Sequence, residues 1–413
     1  MKLSEQLESR GFVHQFSGAS LTEITDKEKR TIYHGIDPSA DSAHAGNFVI
    51  WMLLKHLSQN GHKIVFLVGG ATGMIGDPKP DAERQLKPLE EVEKNVQKIK
   101  AQAEKFFAGS EIEFVNNYDW FKNFPVLDFL REVGKHFTVN ELIKKDAIAT
   151  RLQSDTGLSY TEFAYPLIQG YDYLRLFEDK NCTVQIGGSD QWGNIISGVD
   201  LVRRKKQTEV YALTVPLIVD KATGKKFGKS EGNAVWLDAE KTSPYQFYQF
   251  WLNVSDESVI DYLKLFTLLS LDDISAIERD VLVNPSDRAG QRILAFEVTA
   301  NVHGQEQAEA AAQVTSLLFG TGEFRKLEEV ERSTLLESAP IQDVTDGQPI
   351  VDVLVETGLA TSKREARTFI ESGAISLNGV KLVELESTVS ESDFIDNLAL
   401  LRRGKKHVFV LKI

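Results

Sequence analysis

Hydrophobic positions along this chain fall into short continuous runs, separated by longer stretches where they recur every third or fourth residue. TIYHGID (31–37) is one such run, and KIVFLVGG (63–70) is another. The second is almost wholly apolar and ends in glycines, the pattern of a buried parallel strand. Between them FVIWMLLKHL follows Ala45 with helical period, and Asn60-Gly61 supplies its stop. Strand, helix and strand in about forty residues make a βαβ unit. Residues 1–30 read as polar and helical, 88–107 as a charged surface helix and 111–117 as a short strand. Helices are predicted over 125–152 and 160–178, a strand over 183–188, a helix over 189–204 and a strand over 211–219. Residues 243–319 are helical in pattern, and 320–349 have weak periodicity and read as a linker. Residues 350–413 carry a separate small α+β pattern.

Composition narrows the class. Of 413 residues, 42% are hydrophobic and 26% charged, an ordinary globular balance with material for two or three domains. No apolar run reaches membrane-spanning length, and the first residues lack the apolar segment of a signal peptide, so a cytoplasmic protein without membrane attachment is expected. The single cysteine, Cys182, excludes an internal disulfide and reads as a small buried apolar residue in a reducing compartment. The net charge of −13 repels polyanions on average. From residue 350 onward nine Lys/Arg balance nine Asp/Glu, so any polyanion would meet local basic patches there.

Four stretches hold residue types suited to chemistry. YHGIDPSADSAHAGN (33–47) is a polar, glycine-bearing turn between strand and helix, where α/β proteins place ligands. The helix start offers free N–H groups and a positive dipole end. His44 and Asn47, at i and i+3, share its first turn as hydrogen-bond donors, and Asp37 precedes them as an acceptor. KKFGKSEGN (225–233) is a basic loop suited to polyphosphate, without the spacing of a Walker loop. In YPLIQGYD (165–172), Tyr165, Gln169 and Asp172 form a polar stripe on a helix, a face that needs partners when buried. QIGGSDQWGN (185–194) ends a strand in paired glycines followed by Asp190 and Gln191, a ribose-binding arrangement. Each stretch alone reads equally as a solvated turn or an outward face. GGATGMIGDP (69–78) lacks the spacing of a dinucleotide fingerprint.

Together with NNYDW, VGKHFTVN and TSPYQFYQFW, these stretches run in the order found in bacterial-type tyrosyl-tRNA synthetases, class I aminoacyl-tRNA synthetases, which the chain resembles over nearly its whole length. The resemblance implies an α/β fold: a Rossmann-like parallel-sheet catalytic domain (1–220), a signature lysine loop with an α-helical domain (221–319), the linker (320–349) and a small α+β RNA-binding module (350–413). It implies tyrosine–tRNA ligase activity, in which tyrosine attacks the α-phosphate of ATP and the tyrosyl group then passes to the 3′ end of tRNA(Tyr). By resemblance HAGN is the HIGH-type signature, with His44 and Asn47 on the phosphates and Asn47 standing where the signature has His. KFGKS is the KMSKS-type loop, with Lys226 and Lys229 on the leaving pyrophosphate. Tyr33 and Asp172 are implied on the substrate phenol, and Asp77, Tyr165, Gln169 and Gln191 around its amino-acid end. Asp37, Gly46, Gly188, Asp190 and Lys229 are implied at ATP, and Gly35 and Gly188 give close approach. Magnesium is expected with ATP, without a dedicated protein metal site.

SKREARTFIESGAISLNGVKL and LRRGKKHVFV resemble a small RNA-binding module shared with a ribosomal protein. Lys363, Arg364 and Arg367, with Arg402, Arg403, Lys405 and Lys406, are its implied RNA contacts. The run 203–206 reads either as a tRNA contact or as a solvated helix end, where basic residues are favoured anyway. The family is homodimeric; VGKHFTVN and Tyr160 match its subunit contact, which makes His136 structural. Three rivals remain at this stage: a tryptophanyl-tRNA synthetase, a synthetase-like RNA-binding protein, and another HIGH-type nucleotidyltransferase. The Tyr33–Asp172 pair and the C-terminal module oppose the first, the intact signatures oppose the second, and the helical and RNA-binding segments are unexplained by the third. The sequence leaves the role of His34 open.

Overall fold

The structure, a computed structural model, describes residues 1–78, 85–153, 157–219, 221, 224, 229–230, 233–319, 324–404 and 407–413. Its contacts divide the chain into two compact units: Met1–Thr242 with Val254–Gly290, and Ser243–Asn253 with Gln291–Ile413.

The first unit is built on a six-stranded sheet. Its strands are β1 (Gln15–Phe16), β2 (Thr31–Ile36), β3 (Lys63–Val68), β4 (Ile112–Asn116), β5 (Cys182–Gly188) and β6 (Tyr211–Val215). The order is β1-β6-β5-β2-β3-β4, with every pairing parallel except the antiparallel β1–β6 edge. The chain steps outward from β2 to β4 and then returns to β5 on the other side of β2. Order therefore reverses between β2 and β5, and in such sheets ligands bind at the carboxyl ends beside the reversal.

Helices α1 (Ala45–Gln59), α2 (Leu89–Phe106), α3 (Tyr160–Lys180) and α4 (Trp192–Lys206) are the main helices around this sheet. Phe66 on β3 packs against Trp51 of α1 and against Phe107, which directly follows α2. Tyr33 on β2 meets Tyr173 of α3 edge-on at 5.3 Å. Helices α3 and α4 approach closely because Gly198 has no side chain: a Cβ there would lie 2.8 Å from the Tyr173 ring. The strands read as continuous apolar runs because both faces are covered. At the start of α3, the fully buried Arg151 pairs with Glu162 through two hydrogen bonds of 3.1 Å. Arg10 donates to the carbonyls of Lys264 and Thr267, and Phe48 stacks on Phe266 at 5.7 Å. These contacts bind 254–290 to the first unit, so the stretch expected as one helical domain over 221–319 is divided between the two units.

Several expectations are corrected. The helix over 125–152 is four short elements, Val126–Glu132, Gly134–His136, Val139–Leu142 and Asp146–Leu152. Thr138 interrupts it by capping the next turn, its hydroxyl accepting from the Glu141 N–H. The strand over 211–219 ends at Val215, where Pro216 brings no N–H to continue the ladder. Residues 1–30 hide β1, whose two residues are too few to show alternation.

In the second unit, helix Pro244–Leu252 packs on Gln305–Phe319, with Gln249 donating to Thr315 at 2.6 Å. A five-stranded sheet uses β9 (Ile341–Asp343), β10 (Ile375–Leu377), β11 (Val380–Lys381), β12 (Leu398–Arg403) and β13 (His407–Lys412), in the order β11-β10-β12-β13-β9. Strand β9 and helix Glu329–Ser338 lie inside the stretch expected as linker. Their own periodicity is weak, and β9 forms by pairing in parallel with β13, nearly seventy residues later in the chain. Helices Ile350–Glu356 and Lys363–Glu371 bury Ile350, Leu354, Ala366 and Ile370 in the core shared with this sheet.

Candidate active site

A cleft of about 460 Å³ opens at the carboxyl ends of β2 and β5. It brings together most of the residues singled out in the sequence: Tyr33, Asp37, His44, Gly46, Asn47, Asp77, Tyr165, Gln169, Asp172, Gly188, Asp190 and Gln191 all line it. Gly35 lines it too. Lys226 lies outside the described residues. Lys229 is placed by its backbone in strand β7 (Lys229–Ser230), which pairs antiparallel with β8 (Asn233–Ala234).

At the buried end, Asp172 is 2% exposed and accepts hydrogen bonds from Asn117 Nδ2 (3.0 Å) and Trp120 Nε1 (2.9 Å). Burial pushes its pKa up to about 8, against the pull of these two donors. Asn117 is itself held, its Oδ1 accepting from the Ala71 N–H at 2.7 Å and its Nδ2 donating to Thr72 Oγ1 at 3.2 Å. Sequence reasoning quoted NNYDW without a role for Asn117 or Trp120; only the fold carries them under Asp172. The Tyr33 hydroxyl faces the same end, 1% exposed and without a hydrogen-bond partner among the described residues. Its phenol pKa is raised by burial and then by the nearby Asp172. A buried hydroxyl left unpaired costs about 1–3 kcal/mol unless a ligand satisfies it. Gln185, paired across from Tyr33 on β5, also lines the cleft, its Oε1 without a partner among the described residues; it opens the stretch QIGGSDQWGN but carried no role there.

Midway along the cleft, Tyr165 Oη donates to Asp37 Oδ2 at 2.8 Å. Asp77 accepts from Gln191 and Asn194, each at 2.9 Å. The space above Gly188 is taken by the Asp190 carboxylate: a Cβ would lie 2.5 Å from its Oδ1. His34 donates from Nδ1 to the Ile186 carbonyl (3.1 Å), and burial lowers its pKa to about 4, so the imidazole is neutral.

The first turn of α1 is built by its own side chains. His44 is the N-cap, its Nδ1 accepting from the Gly46 N–H at 3.0 Å, while Asn47 Oδ1 accepts from the His44 N–H at 3.1 Å. A neutral imidazole that accepts at Nδ1 carries its proton at Nε2. Asn47 therefore has a capping role besides the phosphate role expected of it.

Four carboxylates, Asp37, Asp77, Asp172 and Asp190, line the cleft, and no Lys or Arg does among the described residues. An ammonium group suits such a cleft, whereas a polyphosphate needs added cations. Among the described residues no three His, Cys, Asp or Glu side chains converge as metal ligands would, and no helix is long and apolar enough to cross a membrane.

The basic C-terminal residues divide. Arg364 and Arg367 are exposed on Lys363–Glu371, while Lys363 is paired with Asp352 at 2.7 Å. Arg403 lies over the Phe369 ring at 4.9 Å and donates to the Leu359 carbonyl; Arg402 is half-buried. Arg403 thus fastens the module's fold as much as it faces solvent. Lys405 and Lys406 lie outside the described residues. In the run 203–206, Arg203, Arg204, Lys205 and Lys206 pair with Asp200, Glu141, Glu132 and Glu178.

This sheet, with its acidic cleft beside a helix start, matches over residues 25–320 the family model of class I tRNA synthetases (W and Y). Residues 331–411 match the tyrosine–tRNA ligase SYY-like C-terminal domain. The chain is 47% identical over 420 aligned positions to a tyrosine–tRNA ligase of Lactococcus lactis, with all of both chains covered. It is also 47% identical to that of Streptococcus mutans, again over the whole of both chains. Among solved structures, a C-terminally truncated mitochondrial tyrosyl-tRNA synthetase of Aspergillus nidulans matches with TM-score 0.70 and 30% identity, covering 77% of this chain and 94% of that one. The fold is thus that of a class I synthetase. Within that class, the chain belongs to the tyrosine–tRNA ligase family.

Proposed function

We infer that the chain activates L-tyrosine with ATP and transfers it to tRNA(Tyr). The observation that carries this reading is the buried end of the cleft, where the unpartnered Tyr33 hydroxyl and the Asp172 carboxylate meet. A phenol satisfies both, donating to Asp172 and accepting from Tyr33. Asp77, Gln169, Gln191 and the Tyr165 hydroxyl, already donating to Asp37, take the ammonium group. The substrate carboxylate then attacks the α-phosphorus of ATP, the bond to the bridging oxygen breaks, and pyrophosphate leaves. His44 Nε2–H and the start of α1 stabilise the developing phosphate charge. Lys226 and Lys229 hold the leaving pyrophosphate, and Asn47 adds an amide donor. Asp37, Gly46, Gly188 and Asp190 seat the nucleotide. Magnesium bound with ATP would supply positive charge beside the four carboxylates, held largely by phosphate oxygens. The 3′ end of tRNA then accepts the tyrosyl group. Arg364 and Arg367 lead the RNA contacts of the C-terminal module, with Lys363, Arg402, Arg403, Lys405 and Lys406 as further members. The protein is read as cytoplasmic.

The deciding experiment is ATP–pyrophosphate exchange with tyrosine, phenylalanine and tryptophan in parallel. Exchange with tyrosine alone supports the reading; no exchange with any of them abandons it for an RNA-binding paralogue.

The raised pKa of Asp172 has a sign that can be measured. A phenol donating to the carboxylate favours its ionised form, so tyrosine binding releases a proton. Affinity then rises with pH from 6 towards 8, and calorimetry at pH 7 in buffers of different ionisation enthalpy detects close to one proton released. Without ligand, the folded state holds this proton more tightly than the unfolded chain, whose carboxyl titrates near 4. The contribution to stability is full below that value and is lost as pH rises through about 8.

The reading includes a homodimer. Val139 and Tyr160 are large apolar side chains left exposed at positions that resemble the family's subunit contact, and Val126, Leu127, Leu130 and Ile143 are left exposed in the residues flanking 133–140. Leu127, at 75% exposure, is left in water if the chain is monomeric. Leu127→Glu should convert a species of twice the chain mass into one of the chain mass in light scattering. An unchanged mass argues against this face.

A further inference from the structure

The chain leaving the lysine segment is fastened to the turn that carries His44. The Ala45 N–H donates to the Val235 carbonyl at 2.8 Å, and the Leu237 N–H to the Ala43 carbonyl at 2.9 Å. Between these bonds the His44 and Trp236 rings meet edge-to-face at 6.2 Å. Lys241 reaches back along the same segment, its ammonium 5.2 Å from the centre of the Trp236 ring and 2.6 Å from Asp41 Oδ1. The other oxygen of Asp41 accepts from Lys98 of α2 at 3.1 Å. One carboxylate, three residues before His44, is thus held by two lysines from two other elements. Neither Trp236, Lys241 nor Lys98 lines the cleft.

These contacts are poor candidates for stability. The Asp41, Lys98 and Lys241 side chains are 24%, 39% and 33% exposed. Such part-exposed pairs contribute about 0–1 kcal/mol each. They are well placed for direction, however. Asp41 receives charge from two sides, and its pKa falls to about 2, through Lys241 first and Lys98 second. The lysine segment's β8 strand runs directly into Val235, so its exit and the His44 turn share one backbone register.

We propose that Asp41, Lys98, Lys241 and Trp236 form a clasp that positions His44 against the exit of the lysine segment for the activation step. None of the four is a catalytic residue; they act through His44 and the 43–45 backbone. The proposal rests on the ligase reading above. Positioning matters more here than binding energy, because a displacement of about 1 Å at a reacting centre costs up to roughly 100-fold in rate.

The test is tyrosine-dependent ATP–pyrophosphate exchange on the full chain, comparing wild type with Lys241→Met, Lys241→Arg and Asp41→Asn. The clasp predicts kcat lower by roughly tenfold in Lys241→Met and Asp41→Asn. The KM for tyrosine should be unchanged and the thermal midpoint within about 2 °C of wild type. Lys241→Arg should restore most of the rate. Unchanged kcat in both charge-removing variants overturns the clasp. So does a fall in kcat that follows the thermal midpoint and the tyrosine KM, the mark of a merely structural role. If Asp41→Asn fails to fold, the two Lys241 variants decide alone. No exchange by the wild type overturns the ligase reading and the clasp together, whereas wild-type exchange with unaffected variants overturns the clasp alone.

Discussion

Asp172→Asn is expected to lower kcat/KM for tyrosine by roughly 10–150-fold while leaving phenylalanine almost unaffected. The estimate is one hydrogen bond to a charged group, at about 1.5–3 kcal/mol. The substitution also turns an amide N–H toward Asn117 Nδ2 or Trp120 Nε1, both of which already donate to this site. One buried donor then lacks an acceptor, at about 1–3 kcal/mol of stability. Tyr33→Phe makes the complementary case. Its hydroxyl has no partner among the described residues, so removing it should leave the unliganded protein as stable or more so. Discrimination against phenylalanine should nonetheless fall by roughly fivefold, since one neutral bond of about 1 kcal/mol to the phenol is gone. Proton release on tyrosine binding should vanish in Asp172→Asn and persist in Tyr33→Phe. Steady-state exchange with both amino acids and urea unfolding of both variants measure these effects. Undiminished preference for tyrosine in the two variants would remove the phenol from this end of the cleft.

The second large effect is expected at His44. His44→Ala should reduce kcat for activation by roughly 10–150-fold, the cost of one donor to a charged phosphate oxygen. Tyrosine affinity should hold, because Tyr33 and Asp172 lie deep in the cleft and His44 sits at the α1 turn. Loss of the N-cap adds about 1 kcal/mol of destabilisation. His44→Asn separates the two roles, since asparagine caps a helix well but places its donor differently. It should recover stability and only part of the rate. Equal losses in tyrosine affinity and kcat for His44→Ala would refute the phosphate assignment.

Much of the site was legible because its parts are local. The HAGN turn caps its own helix, and the Tyr165, Gln169 and Asp172 stripe follows from helical spacing, whatever else surrounds them. Asn117, Trp120 and Gln185 were quoted only as parts of motifs, because their importance lies in what they touch across the fold. The same holds for Asp41 and Lys241, which are 200 residues apart in the chain. Arg403 was legible only as a member of a basic cluster, whereas the fold also seats it on Phe369.

By itself the sequence determined the βαβ start, the main helices, the glycine-bearing turns and the order of the motifs. Each depends on periodicity, capping or turn chemistry within a few residues. The tertiary structure decided what depends on distant pairing. It set the strand order that reverses between β2 and β5 and opens the cleft there. It joined β9 to β13, so that the weakly patterned stretch 341–343 became a strand. It also buried Asp172 beside Asn117 and Trp120, raising the carboxyl pKa to about 8. Burial is a property of the assembled core, and no local pattern in YPLIQGYD carries it.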